Sequence, residues 1–217
     1  MKSELTIESI KNEAAKFAGM EDSHDEPALY GVTDGKAIGT YLERHFLDYL
    51  SENYHYQQGN SASGIDVPEL EIDIKTTSIK QPQSSCPFKS AAQKIFGLGY
   101  HLLVFVYEKF DDHESKTGKL NIRYTIFVEK ERTADFQTTK GLLDILERNA
   151  NKDDLIAFIA ERNLPVDEIG ADLLAERILE SPPRQGYLTI SNALQWRLQY
   201  SRVIQQADLI SGITRIR

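Results

Sequence analysis

Apolar positions along the chain recur at two spacings, which predict both helices and strands. Residues 36–53 carry an apolar side chain at every fourth position, and this repeat marks the buried face of a helix. The four apolar positions are Ile38, Leu42, Phe46 and Leu50. Residues 70–75 alternate instead between apolar and charged side chains, which is the two-residue period of a half-buried strand.

The same patterns, together with turn residues, predict the remaining elements. A first helix is expected over residues 4–17, with Ser3 as its N-cap and Gly19 as its end. Further helices are predicted at residues 85–96, opening near Pro87, and at 139–149, 152–163, 170–180 and 192–207. Strands are predicted at residues 101–109, 120–130, 187–190 and 209–216. The predicted fold class is α/β, with a mixed β-sheet flanked by α-helices and additional helices toward the C-terminus.

Residues 64–75 place two acids and a lysine where they would converge. Asp73 and Lys75 are two positions apart in a strand and therefore point to the same side, while Ile74 points into the core. Pro68 favours a bend that brings Asp66 alongside Asp73. Two carboxylates suit Mg²⁺, and a neighbouring lysine can orient a water and stabilise charge on a phosphoryl group. The segment therefore predicts a metal-dependent nuclease site.

An acid-x-Lys triplet alone carries little weight. The chain contains three of them, about the number expected by chance from 33 acidic residues and 14 lysines. The other two, Asp34-Gly-Lys36 and Glu114-Ser-Lys116, lie in predicted turn or loop segments without strand alternation. Only the triplet at Asp73 combines alternation with a second carboxylate at a proline bend.

The segment Asp66-Val-Pro-Glu-Leu-Glu-Ile-Asp-Ile-Lys75 resembles the active-site segment of the PD-(D/E)xK nucleases, most closely that of MutH-type nicking enzymes and their type II restriction relatives. Those proteins carry an acid-hydrophobic-Pro-Glu-Leu opening followed seven residues later by acid-x-Lys, as this chain does. Residues 35–43 resemble the family's helix with a further catalytic glutamate, here Glu43. The first acid follows Ile65 instead of proline, so the name-giving dipeptide is absent. The resemblance covers residues 35–80.

This resemblance implies a restriction-endonuclease-like core and a role for each residue. Asp66 and Asp73 would hold Mg²⁺, for which Mn²⁺ can substitute, with the Ile74 carbonyl as a further ligand. Glu43 would complete or support this metal site, and Lys75 would position the attacking water. From the helix pattern alone, Glu43 lies at the edge of a buried face, where a carboxylate is more often an ion-pair partner than a metal ligand.

Composition excludes other classes of protein. The single cysteine, Cys86, excludes an internal disulfide and a cysteine-based zinc cluster. The five histidines show no HExxH spacing, and the chain has no P-loop, GxSxG or GxGxxG motif. No apolar run approaches membrane-spanning length, and the first residues do not resemble a secretory signal, so a cytoplasmic protein without a membrane partner is expected.

Length and charge suggest how the chain is divided. At 217 residues and 41% hydrophobic content, a single nuclease domain over residues 1–217 is expected. A subdivision into a catalytic core at 1–130, an acidic helical segment at 131–181 and a basic segment at 182–217 is possible, because Pro182-Pro183 interrupts the periodic pattern. Residues 131–181 carry 12 acids and six bases and should face away from DNA.

Positive charge is concentrated in two segments despite the net charge of −8. Residues 75–100 contain four lysines and no acid, and residues 182–217 contain five arginines and one acid. Binding to phosphates depends on such local clusters more than on net charge. The candidate DNA-binding residues in these segments are Lys80, Lys89, Lys94, Arg184, Arg197 and Arg202. A packed helix with solvated arginines explains Arg197 and Arg202 equally well.

We therefore expect a Mg²⁺-dependent type II restriction enzyme that cuts a specific double-stranded DNA sequence and leaves 5′-phosphate ends, as the resemblance implies. A homodimer is expected if the target is palindromic, because each subunit would cut one strand. A cognate DNA methyltransferase would act in the same system without a stable complex. A MutH-type nicking repair enzyme and a catalytically inactive DNA-binding module of the same fold are the alternatives.

Overall fold

A mixed four-stranded sheet forms the centre of the computed structural model, which describes residues 2–59, 64–86, 89–191 and 196–217. The strands are β3 (Ile72–Ser78), β5 (His101–Asp112), β6 (Thr117–Val128) and β9 (Ile213–Arg215), in that spatial order. Strand β3 runs parallel to β5, whereas β5–β6 and β6–β9 are antiparallel. The sheet contains the predicted catalytic strand at one edge.

Two long helices cover one face of this sheet. They are α1 (Ile7–Glu21) and α2 (Gly35–Asn53). Strand β1 (Ser3–Glu4), which precedes α1, pairs in parallel with β2 (Tyr54–His55), which follows α2. Helix α2 begins where the Asp34 side chain accepts a hydrogen bond from the Lys36 amide, at 3.0 Å. The predicted apolar stripe of this helix is buried against β3 and β5. Ile74 and Phe105, both fully buried, belong to this core.

A second, smaller sheet covers the opposite face. It consists of β4 (Gln83–Cys86), β8 (Trp196–Gln199) and β7 (Thr189–Ile190), all antiparallel, followed by α7 (Ser201–Gln206). Trp196, Leu198 and Tyr200 pack there against Val104 and Ile126 of the central sheet. Strand β5 therefore contributes alternate side chains to two cores, one on each face of the central sheet.

The remaining helices form a third cluster of their own. They are α3 (Ala92–Phe96), α4 (Phe136–Leu146), α5 (Lys152–Glu161) and α6 (Glu168–Glu180), joined by a core that includes Ile95 and Leu155. These elements confirm the predicted class, a mixed sheet flanked by helices with further helices after the core. No helix among the described residues is long and apolar enough to cross a membrane.

Two predicted helices were wrong in part. Residues 192–207 were expected to form one helix, but Trp196–Gln199 is a strand and only Ser201–Gln206 is helical, while residues 192–195 lie outside the described part. Residues 85–86 belong to strand β4, and the predicted helix is confined to Ala92–Phe96; its expected start at Pro87 lies outside the described residues. Pairing between β4 and β8 overrides helix propensity in both segments.

Boundaries differ slightly elsewhere. Thr6, not Ser3, caps α1 through a reciprocal pair of hydrogen bonds with Ser9, and the helix continues past Gly19 to Glu21. Ser3 lies in strand β1 instead. The predicted central strands at 101–109 and 120–130 and the helices near 139–149, 152–163 and 170–180 are present with small shifts at their ends.

Candidate active site

The segment before β3 folds back onto the strand that it precedes. Pro68–Leu70 forms one short 3₁₀ turn, and Glu71 adopts the left-handed conformation, with φ at 52°. Val67 and Ile72 then exchange two backbone hydrogen bonds of 2.9 and 3.1 Å. This reversal lets the Asp66 carboxylate accept a hydrogen bond from the Ile74 amide at 2.7 Å. The bend expected at Pro68 therefore does bring Asp66 beside the strand.

Asp73 and Lys75 lie on the same side of β3, opposite to the fully buried Ile74. The Lys75 ammonium contacts the Asp73 carboxylate at 2.7 Å. Only 5% of the Asp73 side chain and 19% of the Lys75 side chain are exposed. The pair is therefore largely shielded from water, and its charges interact strongly.

Helix α2 supplies the third carboxylate. Glu43 accepts a hydrogen bond from the Thr76 amide of β3 at 2.9 Å. This contact joins the helix to the strand one residue beyond Lys75. Asp66 and Glu43 thus accept from alternate amides of the same strand, Ile74 and Thr76, on either side of Lys75 in sequence. The edge-of-stripe position of Glu43 places its side chain in the cluster with Asp66, Asp73 and Lys75.

Burial and nearby negative charge raise the pKa of two acids of the cluster, Asp73 and Glu43. Burial raises the pKa of Asp73 from 3.8 to about 7, against the attraction of Lys75 and with a further contribution from Asp66. Burial likewise raises the pKa of Glu43 to about 7, where Lys75 opposes the shift and Asp66 and Asp73 add to it. One lysine therefore does not neutralise the negative charge of the three carboxylates.

Burial lowers the pKa of Lys75, but its attraction to Asp73, Glu43 and Asp66 outweighs that effect and the net pKa is raised. Lys75 consequently stays protonated at neutral pH. It can donate hydrogen bonds and supply positive charge, but it is poorly suited to remove a proton.

The donor set fits a hard divalent cation. Asp66 and Asp73 are close enough for a side-chain hydrogen bond that favours the protonated acid, so a cation between them would relieve their repulsion. No group of three or more histidine, cysteine or acidic side chains in the described residues is arranged as a ready metal cage. Mg²⁺ is usually held by one or two carboxylates with waters and phosphate oxygens, so two converging acids suffice. Asp66, Asp73, Glu43 and the Ile74 carbonyl as metal ligands all stay predictions.

An open cleft of about 1080 Å³ adjoins this cluster. Glu43 and Lys75 lie on its wall, beside the N-terminus of α2, the start of β4 and the far end of β5. Among the described residues, none of those that line it falls in the acidic segment 131–181. Lys80, Gln81 and Arg197 do line it, so two of the predicted DNA-binding residues face the same space as the catalytic candidates.

The other predicted DNA-binding residues lie elsewhere. Lys89 and Arg184 are exposed but do not line the cleft. Arg202 is half-buried and stacks on Phe136, with its guanidinium 3.7 Å from the ring centre. Trp196 and Tyr200, the aromatic neighbours of Arg197 and Arg202 in the sequence, are in the core.

Lys94 requires a correction. Its residue is only 4% exposed, and its ammonium lies 5.9 Å from the centre of the Trp196 ring. Burial lowers its pKa, against the attraction of Asp135. A side chain in this interior position does not reach a DNA phosphate, so Lys94 is removed from the candidate contacts.

The cleft also contains two cations that the sequence reasoning missed, Lys36 and Lys109. Lys36 precedes Glu43 by about two helical turns and so shares its helix face. Lys109 lies near the end of β5, where it forms an ion pair with Asp111. The seven-residue spacing from Glu43 could have predicted the position of Lys36 from the sequence. The position of Lys109 follows instead from the parallel register of β5 against β3.

The two other acid-x-Lys triplets have structural surroundings. Asp34 caps α2, as described above. Glu114 and Lys116 lie in the turn between β5 and β6, where the Lys116 ammonium is 5.1 Å from the centre of the Tyr30 ring. The strand alternation and the second carboxylate that distinguished the Asp73 triplet in the sequence are therefore present in the structure.

Comparison with known proteins identifies the family of this chain. Residues 4–215 match the family described as type II restriction enzyme NspV. The type II restriction enzyme NspV of Nostoc sp. (strain ATCC 29411 / PCC 7524) is 63% identical over 212 residues, which cover 98% of this chain and 96% of that protein. No solved structure matches the chain. The prediction of a type II restriction enzyme is confirmed: the chain belongs to the NspV family of type II restriction enzymes.

Proposed function

We propose that this protein is a Mg²⁺-dependent endonuclease that cuts double-stranded DNA at a specific sequence. The observation that carries the proposal is the convergence of three carboxylates and Lys75 beside an open cleft lined by further cations. Family membership supports a restriction endonuclease, and the site geometry supports metal-assisted hydrolysis.

The residues would divide the chemistry as follows. Asp66 and Asp73 would hold Mg²⁺, with the Ile74 carbonyl and Glu43 completing or supporting the site. Bound there, the ion would polarise the phosphate and lower the pKa of a coordinated water. Lys75 donates hydrogen bonds to the attacking water and to the phosphoryl oxygens, because its ammonium stays charged. Water oxygen bonds to phosphorus and the bond to the 3′ oxygen breaks, which leaves 5′-phosphate and 3′-hydroxyl ends.

The surrounding charges support binding of the DNA backbone. Lys36 and Lys80 are exposed on the cleft wall and can contact phosphates on either side of the scissile bond. Each such contact releases a counterion from DNA, so affinity should fall steeply with salt. This local arrangement supports DNA binding despite the net charge of −8.

The proposal extends to assembly and cellular context. A symmetric homodimer would place one site on each strand of a palindromic target. A cognate methyltransferase would modify the same target without forming a stable complex, and both would act in the cytoplasm. Mn²⁺ would substitute for Mg²⁺ because both accept carboxylate and water ligands.

Cleavage assays with matched variants test the proposal. Wild-type protein, Asp73→Ala, Lys75→Ala and the control Lys116→Ala are incubated with phage DNA and supercoiled plasmid in Mg²⁺. We expect discrete fragments from the wild type and from Lys116→Ala, whose lysine lies over the Tyr30 ring in the turn between β5 and β6. Asp73→Ala and Lys75→Ala should give none while keeping a native circular dichroism spectrum.

Each outcome is informative. Cleavage retained by Lys75→Ala would reject its assigned role, and no cleavage of any DNA by the wild type would reject the function. Plasmid that accumulates only as nicked circles would favour a MutH-type nicking enzyme over double-strand cutting. Sequencing the fragment ends identifies the target and the end chemistry.

A further inference from the structure

The paired strands β4 and β8 have two chemically different faces. Ser84, Cys86, Trp196 and Leu198 occupy alternate positions and point toward the core, where the last three are buried. The outward positions are Gln83, Ser85, Arg197 and Gln199. In the antiparallel register Gln83 lies opposite Gln199, and Ser85 lies opposite Arg197. The ribbon therefore presents two cross-strand pairs of polar side chains on one surface.

Thr77 fixes this ribbon to β3, and Tyr200 joins the β8 side of the ribbon to the β4 side. The Thr77 hydroxyl accepts a hydrogen bond from the Gln83 amide at 2.8 Å and lies 3.1 Å from the Gln83 carbonyl oxygen. The Tyr200 amide donates to the Pro82 carbonyl at 2.8 Å, and the Ser84 and Tyr200 hydroxyls are 2.5 Å apart. Thr77 lies only two positions beyond Lys75 in β3. The outward face is thus held at a defined place relative to the candidate catalytic residues.

The same face opens onto the cleft. Gln83, Ser85 and Arg197 line it together with Glu43 and Lys75. Ser85 and Arg197 are exposed. Within the described residues no carboxylate forms an ion pair with Arg197, whereas other arginines on the surface pair with acids, as Arg217 does with Asp22. Arg197 therefore has its guanidinium available to a ligand in the cleft.

Dimensions and chemistry both match the major groove of DNA. Strands β4 and β8 form the longer pair of the three-stranded sheet, since β7 borders β8 only at Thr189 and Ile190, and a pair of strands fits a groove about 12 Å wide. Side chains two positions apart on a strand are separated by about 6.7 Å, which is close to two base-pair steps. Arginine pairs with guanine O6 and N7, glutamine pairs with adenine N6 and N7, and serine accepts or donates to either. The outward face contains these residue types and no acid.

We infer that the outward face of the β4–β8 ribbon reads base edges in the major groove and sets the sequence specificity of cleavage. Arg197 is the principal base contact, and Gln83 and Ser85 contact neighbouring bases. Lys80, in the turn before the ribbon, contacts the phosphate backbone. The inference rests on the proposed endonuclease function and adds to it the residues that choose the target.

Modified bases provide a direct test once the target sequence is known. Duplexes carry 7-deazaguanine or 7-deazaadenine at each purine in turn, which removes one N7 acceptor without changing base pairing. Cleavage rates are compared for the wild type, Arg197→Ala, Gln83→Ala and, as a matched cation in the same cleft, Lys80→Ala. At the purine whose N7 Arg197 contacts, the modification should slow cleavage by the wild type about 5- to 150-fold.

Arg197→Ala should be insensitive to the modification at that one purine and should lose discrimination against the wrong base pair there. Lys80→Ala should instead weaken cleavage to a similar degree on every duplex while keeping the wild-type sensitivity to each modified purine. An Arg197→Ala protein that responds to every modified and every substituted duplex as the wild type does would overturn the inference. Failure of the wild type to cut any DNA would reject the proposed function instead.

Two further measurements keep the test decisive. If Arg197→Ala cleaves too slowly, binding of the same duplexes is measured by fluorescence anisotropy with Lys75→Ala and with Lys75→Ala/Arg197→Ala. If Arg197→Ala does not fold, Arg197→Met replaces it, because methionine keeps a long unbranched side chain but has no N–H to donate to O6 or N7. The same insensitivity at one purine is expected in each case, and its absence would refute the assignment.

Discussion

Replacement of Asp73 by asparagine should stabilise the metal-free protein at alkaline pH while abolishing cleavage. Asp73 is almost completely buried, and burial and the nearby Asp66 raise its pKa to about 7. Above that pH the wild type must keep a buried, partly uncompensated carboxylate. Asparagine resembles the protonated acid in size and charge, so Asp73→Asn avoids this destabilisation.

The magnitude follows from the pKa difference between the folded and unfolded states. A rise of the Asp73 pKa from 3.8 to about 7 lowers the free energy of unfolding by about 4 kcal/mol at pH 8. Because the folded pKa is raised, this part of the wild-type stability is present below about pH 4 and is lost as pH rises through 7. The stability advantage of Asp73→Asn should therefore grow by about 2–3 kcal/mol between pH 5 and pH 8.

Urea unfolding of both proteins in EDTA, across pH 5 to 8, measures this change. The change with pH in the stability difference between the two proteins matters more than its absolute size, since any steric effect of the amide is the same at pH 5 and at pH 8. Glu114→Gln, an exposed acid of another acid-x-Lys triplet, serves as control and should show little change. A difference that stays constant or shrinks as pH rises would refute the reasoning. Added Mg²⁺ should stabilise the wild type more than Asp73→Asn.

Three other outcomes are expected. Cleavage in Mg²⁺ should slow as pH falls below about 7, because Asp73 and Glu43 take up protons. A higher Mg²⁺ concentration should move this loss of activity to lower pH. Initial cleavage rates measured across pH test both expectations. Ile74→Ala should cost about 2–5 kcal/mol in urea unfolding because its side chain is fully buried, while the folded fraction still cuts DNA. Trp196→Ala should cost about 3–5 kcal/mol by the same assay, because this residue anchors the β4–β8 ribbon.

Much of the site was predictable because its determinants are local in sequence. The alternation around Asp73, the bend at Pro68 and the helix that carries Glu43 each depend on a few neighbouring residues. The structure agrees with the apolar pattern of the strand and the helix, since Ile74 and Leu42 are fully buried. The approach of helix to strand needed the family resemblance, because no local rule predicts that Glu43 accepts from the Thr76 amide.

The ribbon could not be predicted in this way, because each strand depends on a distant partner. Residues 83–86 are polar and have little strand propensity, and residues 196–199 contain good helix formers. The alternation of Trp196 and Leu198 with Arg197 was visible but short. The burial of Lys94 was similarly hidden, since it depends on Trp196 from β8 and Asp135 from another segment.

The ribbon also has a consequence for the order in which the molecule is built during synthesis. Its hydroxyl contact joins Ser84 and Tyr200, which are 116 residues apart in the chain. Closing a loop of that length costs on the order of 4 kcal/mol in chain entropy, and contacts of high sequence separation form late. During synthesis on the ribosome the carboxylates and Lys75 therefore emerge long before β8, and the ribbon cannot be completed until Trp196–Gln199 and Tyr200 have emerged.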